Sequence, residues 1–94
     1  MFVVTLTFAD KAKAAPLMDG HNAWIRRGFE DGVFLLAGSL GAGTGGAILA
    51  HDVSRGELEA RVDEDPFVAE GVVNAAILEI APGRTDERLA FLKG

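Results

Sequence analysis

Apolar positions along the chain change their period repeatedly, and each change marks an element. Phe2, Val4, Leu6 and Phe8 alternate with Val3, Thr5 and Thr7, the two-residue period of a strand with one face turned inward. Ala9 to Lys13 is a polar exit. From about Ala14 or Pro16 to Glu30 the period lengthens. Leu17, His21, Trp24, Ile25 and Gly28 then share one face of a helix, which Asp31-Gly32 ends. Val33 to Ala37 and Ala47 to His51 are apolar without alternation, which predicts two strands buried on both faces. The segment between them, Gly38 to Gly46, contains five glycines and predicts a hairpin with a long, flexible tip.

Ser54-Arg55-Gly56-Glu57 matches a capping box, in which the Ser54 hydroxyl and the Glu57 carboxylate each satisfy the other's backbone N–H. The helix it opens turns Leu58 and Val62 inward. Pro66 stops that helix, because the residue before a proline is pushed out of the α region. Phe67-Val68 packs the following turn and Gly71 releases the chain. Val72 to Ala81 forms a fourth strand, with Leu78 and Ile80 flanking an exposed Glu79. Pro82-Gly83 breaks it ahead of a tail carrying Leu89, Phe91 and Leu92.

The order is βαββαβ, the ferredoxin-like or split β-α-β pattern of the α+β class. It predicts a four-stranded antiparallel sheet with two helices on one face. One domain spans residues 1–94, with 82–94 as its C-terminal tail. Such a sheet has a second face, which here would carry residues such as Phe34, Leu36 and Ile48 or their equally apolar neighbours. At about 25 cal/mol per Å² of apolar area, leaving that face wet costs many kcal/mol, so a homodimer packed sheet to sheet is expected.

Composition narrows the function. The chain has 94 residues, 49% of them hydrophobic, and a formal net charge of −5. That charge repels phosphate backbones, and only Arg26-Arg27 pairs basic residues, so nucleic acid is not an expected partner. With no cysteine, disulfides, thiolate metal sites and thiol nucleophiles are excluded. Two histidines and scattered carboxylates form no recognisable metal motif, and neither a metal nor another cofactor is expected. The apolar run from Met1 to Phe8 is too short for a signal segment, and no run approaches the roughly 20 residues that span a bilayer. A cytoplasmic protein without a membrane partner is the expectation.

Two positions carry candidate chemistry. His21 is an imidazole on the apolar helix face, and Asp65 is a carboxylate far downstream. Together they are the smallest set able to do acid–base work. Periodicity alone favours His21 as a core or interface histidine and Asp65 as a turn residue capping backbone N–H groups. Phe67 reads as core rather than as a substrate platform, and His51 as an edge or surface residue. The glycine-rich segment Gly41 to Gly46 lacks the lysine and spacing of a phosphate loop and precedes a strand. It reads as a mobile lid or hairpin tip.

The histidine one turn into the first helix, Gly38-Ser39-Leu40 at the end of the second strand, and Asp65-Pro66-Phe67-Val68 ahead of Gly71-Val72 resemble the YciI-like (YCII-related) proteins. The resemblance extends nearly to Pro82. It implies a dimeric α+β barrel acting on a small molecule, with His21 and Asp65 as an active-site dyad. Gly38, Ser39, Leu40, Pro66 and Phe67 would lie on the substrate side. Family members often carry arginines just ahead of the histidine, where this chain has Leu17, Met18, Asp19 and Gly20, so a preference for anionic substrates does not transfer. A dyad without a nucleophile suits lyase or isomerase chemistry on a small polar organic molecule. The alternatives are a non-catalytic dimeric ligand-binding or regulatory module, and a structural domain with His21 buried.

Overall fold

A computed structural model describes residues 1–93 of the chain, so Gly94 at the end of the tail lies outside the described residues. Strand β1 (Phe2–Phe8) is central, pairing antiparallel with β3 (Gly45–Ala50) on one side and β4 (Val73–Glu79) on the other. Strand β2 (Phe34–Ser39) pairs with β3 and completes a sheet in the order β2-β3-β1-β4. Helices α1 (Met18–Glu30), α2 (Arg55–Asp63) and the one-turn α3 (Pro66–Ala69) supply the helical layer. This is the ferredoxin-like α+β arrangement that the order of periods predicts.

The alternation in β1 has its expected effect. Phe2, Val4 and Leu6 are buried; Phe2 and Val4 stand opposite Ala50 and Ile48 on β3, also buried, and Leu6 opposite Gly46. Trp24, 1% exposed, is the centre of the helical side. Its indole N–H donates to the Arg61 carbonyl at 2.8 Å and its ring meets Phe34 edge-on at 5.2 Å, so one side chain ties α1 to α2 and to the sheet. Gly28, one turn later, lets α1 sit directly on Phe34, since a Cβ at that position would lie 2.0 Å from the ring. The Ser54–Glu57 capping box is present, and Leu58 and Val62 are buried as its helix predicts.

Several expectations are corrected. The first α-helix begins at Met18, because Ala15–Leu17 forms a separate 3-10 turn around Pro16 and Leu17 has left helical geometry. Strand β2 is not buried on both faces in the single chain. It lies at the sheet edge with a register shift between Phe34 and Leu36, so Phe34 faces the helices while Leu36 is 53% exposed. The flexible tip is also shorter and more ordered than its composition suggests. Gly38 and Ser39 belong to β2, and Gly45 and Gly46 to β3. The Leu40 N–H donates to the Gly45 carbonyl at 2.8 Å, the Phe8 N–H to the Thr44 carbonyl at 3.0 Å, and the Thr44 hydroxyl to the Gly41 carbonyl. Gly45, at φ +149°, passes so close to β1 that a Cβ would fall 1.9 Å from the Leu6 carbonyl oxygen. Glycine there serves close approach rather than mobility, which removes the basis for a lid.

The tail forms a 3-10 turn over Glu87–Lys93, and Phe91 meets the His51 ring edge-on at 5.6 Å. Glu79 is exposed as expected, and the flanking Leu78 and Ile80 are 59% and 45% exposed. They stand on the sheet face away from the helices.

Gly28→Ala should destabilise the fold by about 1–3 kcal/mol through overpacking against Phe34, read as a lowered denaturation midpoint with an unchanged slope. Phe34→Asp places an unpaired charge in the core beside Trp24 and should leave no cooperative unfolding transition at ambient temperature. A folded Phe34→Asp protein of near wild-type stability would reverse the assignment of the two faces of β2.

Candidate functional site

The site begins with a conflict at the junction of α2 and α3. Pro66 cannot follow a helical residue, so Asp65 takes an extended conformation (φ −64°, ψ 123°) and becomes the N-cap of α3. Its Oδ1 accepts the Phe67 backbone N–H at 3.0 Å. The same oxygen lies 2.8 Å from His21 Nδ1 on α1. Asp65 is wholly buried, and its Oδ2 has no hydrogen-bond partner among the described residues. A carboxylate only accepts, so Nδ1 carries the proton. Nε2 is then the open hydrogen-bonding position of the ring, and among the described residues no protein group bonds it.

Packing holds the imidazole as firmly as the hydrogen bond does. Phe67 stacks on it with centroids 3.9 Å apart and planes 4° from parallel, while Trp24 lies 6.0 Å away with its plane inclined by 26°. Gly20, one residue before the histidine, faces Pro66, where a Cβ would come within 3.1 Å of the proline ring. Close approach of α1 to α3 therefore depends on a small residue at 20. The His21 side chain keeps 12% of its surface exposed.

That exposure opens into a cavity of about 490 Å³ between α1 and the helix-facing side of the sheet. Pockets that hold small molecules are commonly roughly 300–1,000 Å³. The sheet supplies its floor with small residues, among them Ala37, Ser39 and Gly46, which leave space beside Leu6. Helix α1 supplies the roof through a second stripe, Met18, Asn22, Ile25 and Phe29, one residue out of phase with the core stripe of Leu17, His21, Trp24 and Gly28. His21 borders both stripes. The polar side chains on the wall are His21, Asn22 and Ser39.

The residues expected at the site from sequence are thus divided. His21, Gly38, Ser39 and Phe67 line the cavity, and Asp65 sits behind His21. Leu40 and Pro66 do not line it. Leu40 lies beyond the strand end, where its N–H closes the hairpin, and Pro66 packs on Gly20. Phe67 is both 4% exposed and part of the wall, so the core and site readings of this residue meet. Asn22, Met18 and Phe29 were missed in the sequence, although their spacing of three and four residues marks a stripe beside the one identified. Among the described residues no group of His, Asp and Glu is placed to hold a metal ion, and no helix is long and apolar enough to cross a membrane.

No curated protein matches the chain in sequence. Among solved structures, 5-chloro-2-hydroxyhydroquinone dehydrochlorinase (TftG) from Burkholderia phenoliruptrix AC1100, in complex with 2,5-dihydroxybenzoquinone, is similar in fold. The match has a TM-score of 0.69 over 88% of this chain and 96% of that one, at 19% identity. The model of the YCII-related domain matches residues 1–81, which include every element of the sheet and both site residues, His21 and Asp65. The chain belongs to the YCII-related domain family.

Proposed function

We propose that this protein is a small dimeric enzyme in which His21 moves a proton on a small polar organic molecule held in the cavity, oriented by Asp65. The observation that carries this reading is the 2.8 Å contact between a wholly buried carboxylate and the Nδ1 of an imidazole whose other side lines a cavity. Nδ1–H donation leaves the Nε2 lone pair of the neutral ring free. Nε2 takes a proton from the ligand, and the fixed carboxylate stabilises the imidazolium that forms. The proton then returns to another atom of the ligand, an isomerisation, or the electron pair left behind expels a leaving group, an elimination. The Ser39 hydroxyl is bonded to no base among the described residues, so a covalent route lacks an activated nucleophile. The likeness in fold to a dehydrochlorinase solved with a small organic ligand supports a small-molecule reading.

The dimer rests on the other face of the sheet. In register, Leu36, Leu49, Val3 and Leu78 form one row across all four strands, and Gly38, Ala47, Thr5 and Ala76 form the next. Neither row contains a charge. Leu36 and Leu78 are more than half exposed in the single chain, and burying what remains of each contributes about 1 kcal/mol. A second copy of the same uncharged, ridged face is the partner that fits it.

His21→Asn, whose side-chain amide can overlay Nδ1 and keep a donor toward Asp65, should lower turnover about 10²–10⁴-fold while the fold is kept. The measurement is solvent deuterium incorporation and leaving-group release across a panel of small carbon acids. Turnover that survives this change would remove His21 from the chemistry. Asp65→Leu, which removes the acceptor, should abolish the single Nδ1–H tautomer of the neutral ring in ¹⁵N spectra, and an unchanged tautomer would mean that packing alone sets it. Leu36→Asp and Leu78→Asp should each stay folded yet sediment as monomers where the parent sediments as a dimer. A parent that is monomeric at micromolar concentration would overturn the assembly.

A further inference from the structure

The cavity wall is aromatic and apolar, and its polar groups are few and uncharged. Phe8, Phe29 and Phe67 supply rings, and Met18 and Ile25 supply flexible and branched apolar surface. Among the described residues, no lysine, arginine, aspartate or glutamate lines it. The charge closest to the wall by connectivity is the Asp65 carboxylate, directly behind His21. An anionic ligand entering here would lose its hydration, meet no cation on the wall, and face a negative charge across one imidazole. Lys11 is exposed and does not line the cavity, but its ammonium lies 5.1 Å from the centroid of the wall residue Phe8 in a cation–π arrangement, which puts it at the rim.

From this we infer that the site selects uncharged, ring-sized molecules with hydrogen-bonding substituents over carboxylates of the same size. The inference rests on the cavity being the ligand site proposed above and specifies what enters it. The volume accommodates one substituted six-membered ring. Asn22 and Ser39 stand on opposite walls, one on the roof and one on the floor. They can bind two substituents at once, the Asn22 amide as donor or acceptor and the Ser39 hydroxyl likewise. The His21 edge meets a third. Met18 occupies the roof, so the charge preference of the site resides partly in the absence of a cation at position 18.

The test compares 4-hydroxyacetophenone with 4-hydroxybenzoate, near equals in size that differ in charge, by titration into ¹⁵N-labelled protein. The readouts are the Asn22 side-chain amide and the Gly46 backbone amide. The neutral probe should shift both signals and bind at least tenfold more tightly than the carboxylate. Met18→Arg should narrow or invert that ratio without loss of the fold, since Met18 is 41% exposed and an arginine there keeps its solvent. Equal or tighter binding of the carboxylate to the parent protein at these signals would overturn the charge preference while leaving the cavity as the site. If Lys11→Gln then abolished that binding, the rim would be shown to act as the anion anchor. Failure of both probes to shift these signals at millimolar concentration would overturn the cavity as a ligand site, and the charge preference with it.

Discussion

The wholly buried carboxylate of Asp65 is the constraint on which the helical layer depends. Among the described residues it is the only charged one in the core, and one of its oxygens accepts both the Phe67 N–H that starts α3 and the Nδ1–H of His21 on α1. Removing either donor leaves a buried charge less compensated, and a hydrogen bond to a charged group contributes about 1.5–3 kcal/mol. A carboxylate in that position is a poor choice for stability alone, since apolar side chains of similar volume fill such space without desolvating a charge. Its two bonds instead fix the distance between α1 and α3, the stack of Phe67 on the imidazole, and the tautomer of the ring. One contact therefore sets both the packing of the helical layer and the orientation of the imidazole.

The sheet serves two surfaces with different rules. Toward the helices, large residues at Phe2, Val4 and Phe34 fill the core at one end, while Ala37, Ser39 and Gly46 leave room at the other. Such a space is retained because the walls on both sides are rigid. Below it, Gly46 and Ser39 are locked in strand pairing, and above it α1 is pinned by Trp24 and Gly28 on Phe34. Away from the helices the rows of Leu36, Leu49, Val3 and Leu78 lie on the reverse of the same strands. One sheet thus presents a cavity floor on one side and an uncharged, ridged surface on the other.

Most of the fold was legible because its elements differ in period. Two-residue alternation in β1, the helical stripe through Trp24 and Gly28, and the Ser54–Glu57 capping box are local signals that need no tertiary partner to be read. The misreadings fall where one local pattern supports two outcomes. Val33 to Ala37 is apolar throughout, and only pairing at the sheet edge, with the register shift after Phe34, determines that Leu36 faces outward. The glycines between Gly38 and Gly46 looked mobile because glycine permits mobility. Gly45 is required instead by the approach of β3 to the Leu6 carbonyl, a contact between segments almost forty residues apart in the chain.

The sequence by itself determined the order of elements, the inward histidine and the proline that turns Asp65 out of its helix, because propensity, periodicity and proline stereochemistry act over a few residues. The meeting of His21 with Asp65 across 44 positions, the stack of Phe67, and the recruitment of Met18, Asn22 and Phe29 into a wall were decided only by tertiary structure. The relevant distances are set by how closely α1 settles on Phe34 and Pro66. That closeness depends on the absence of a Cβ at Gly28 and Gly20, a fact visible in the sequence whose consequence exists only when the partner surfaces are in place.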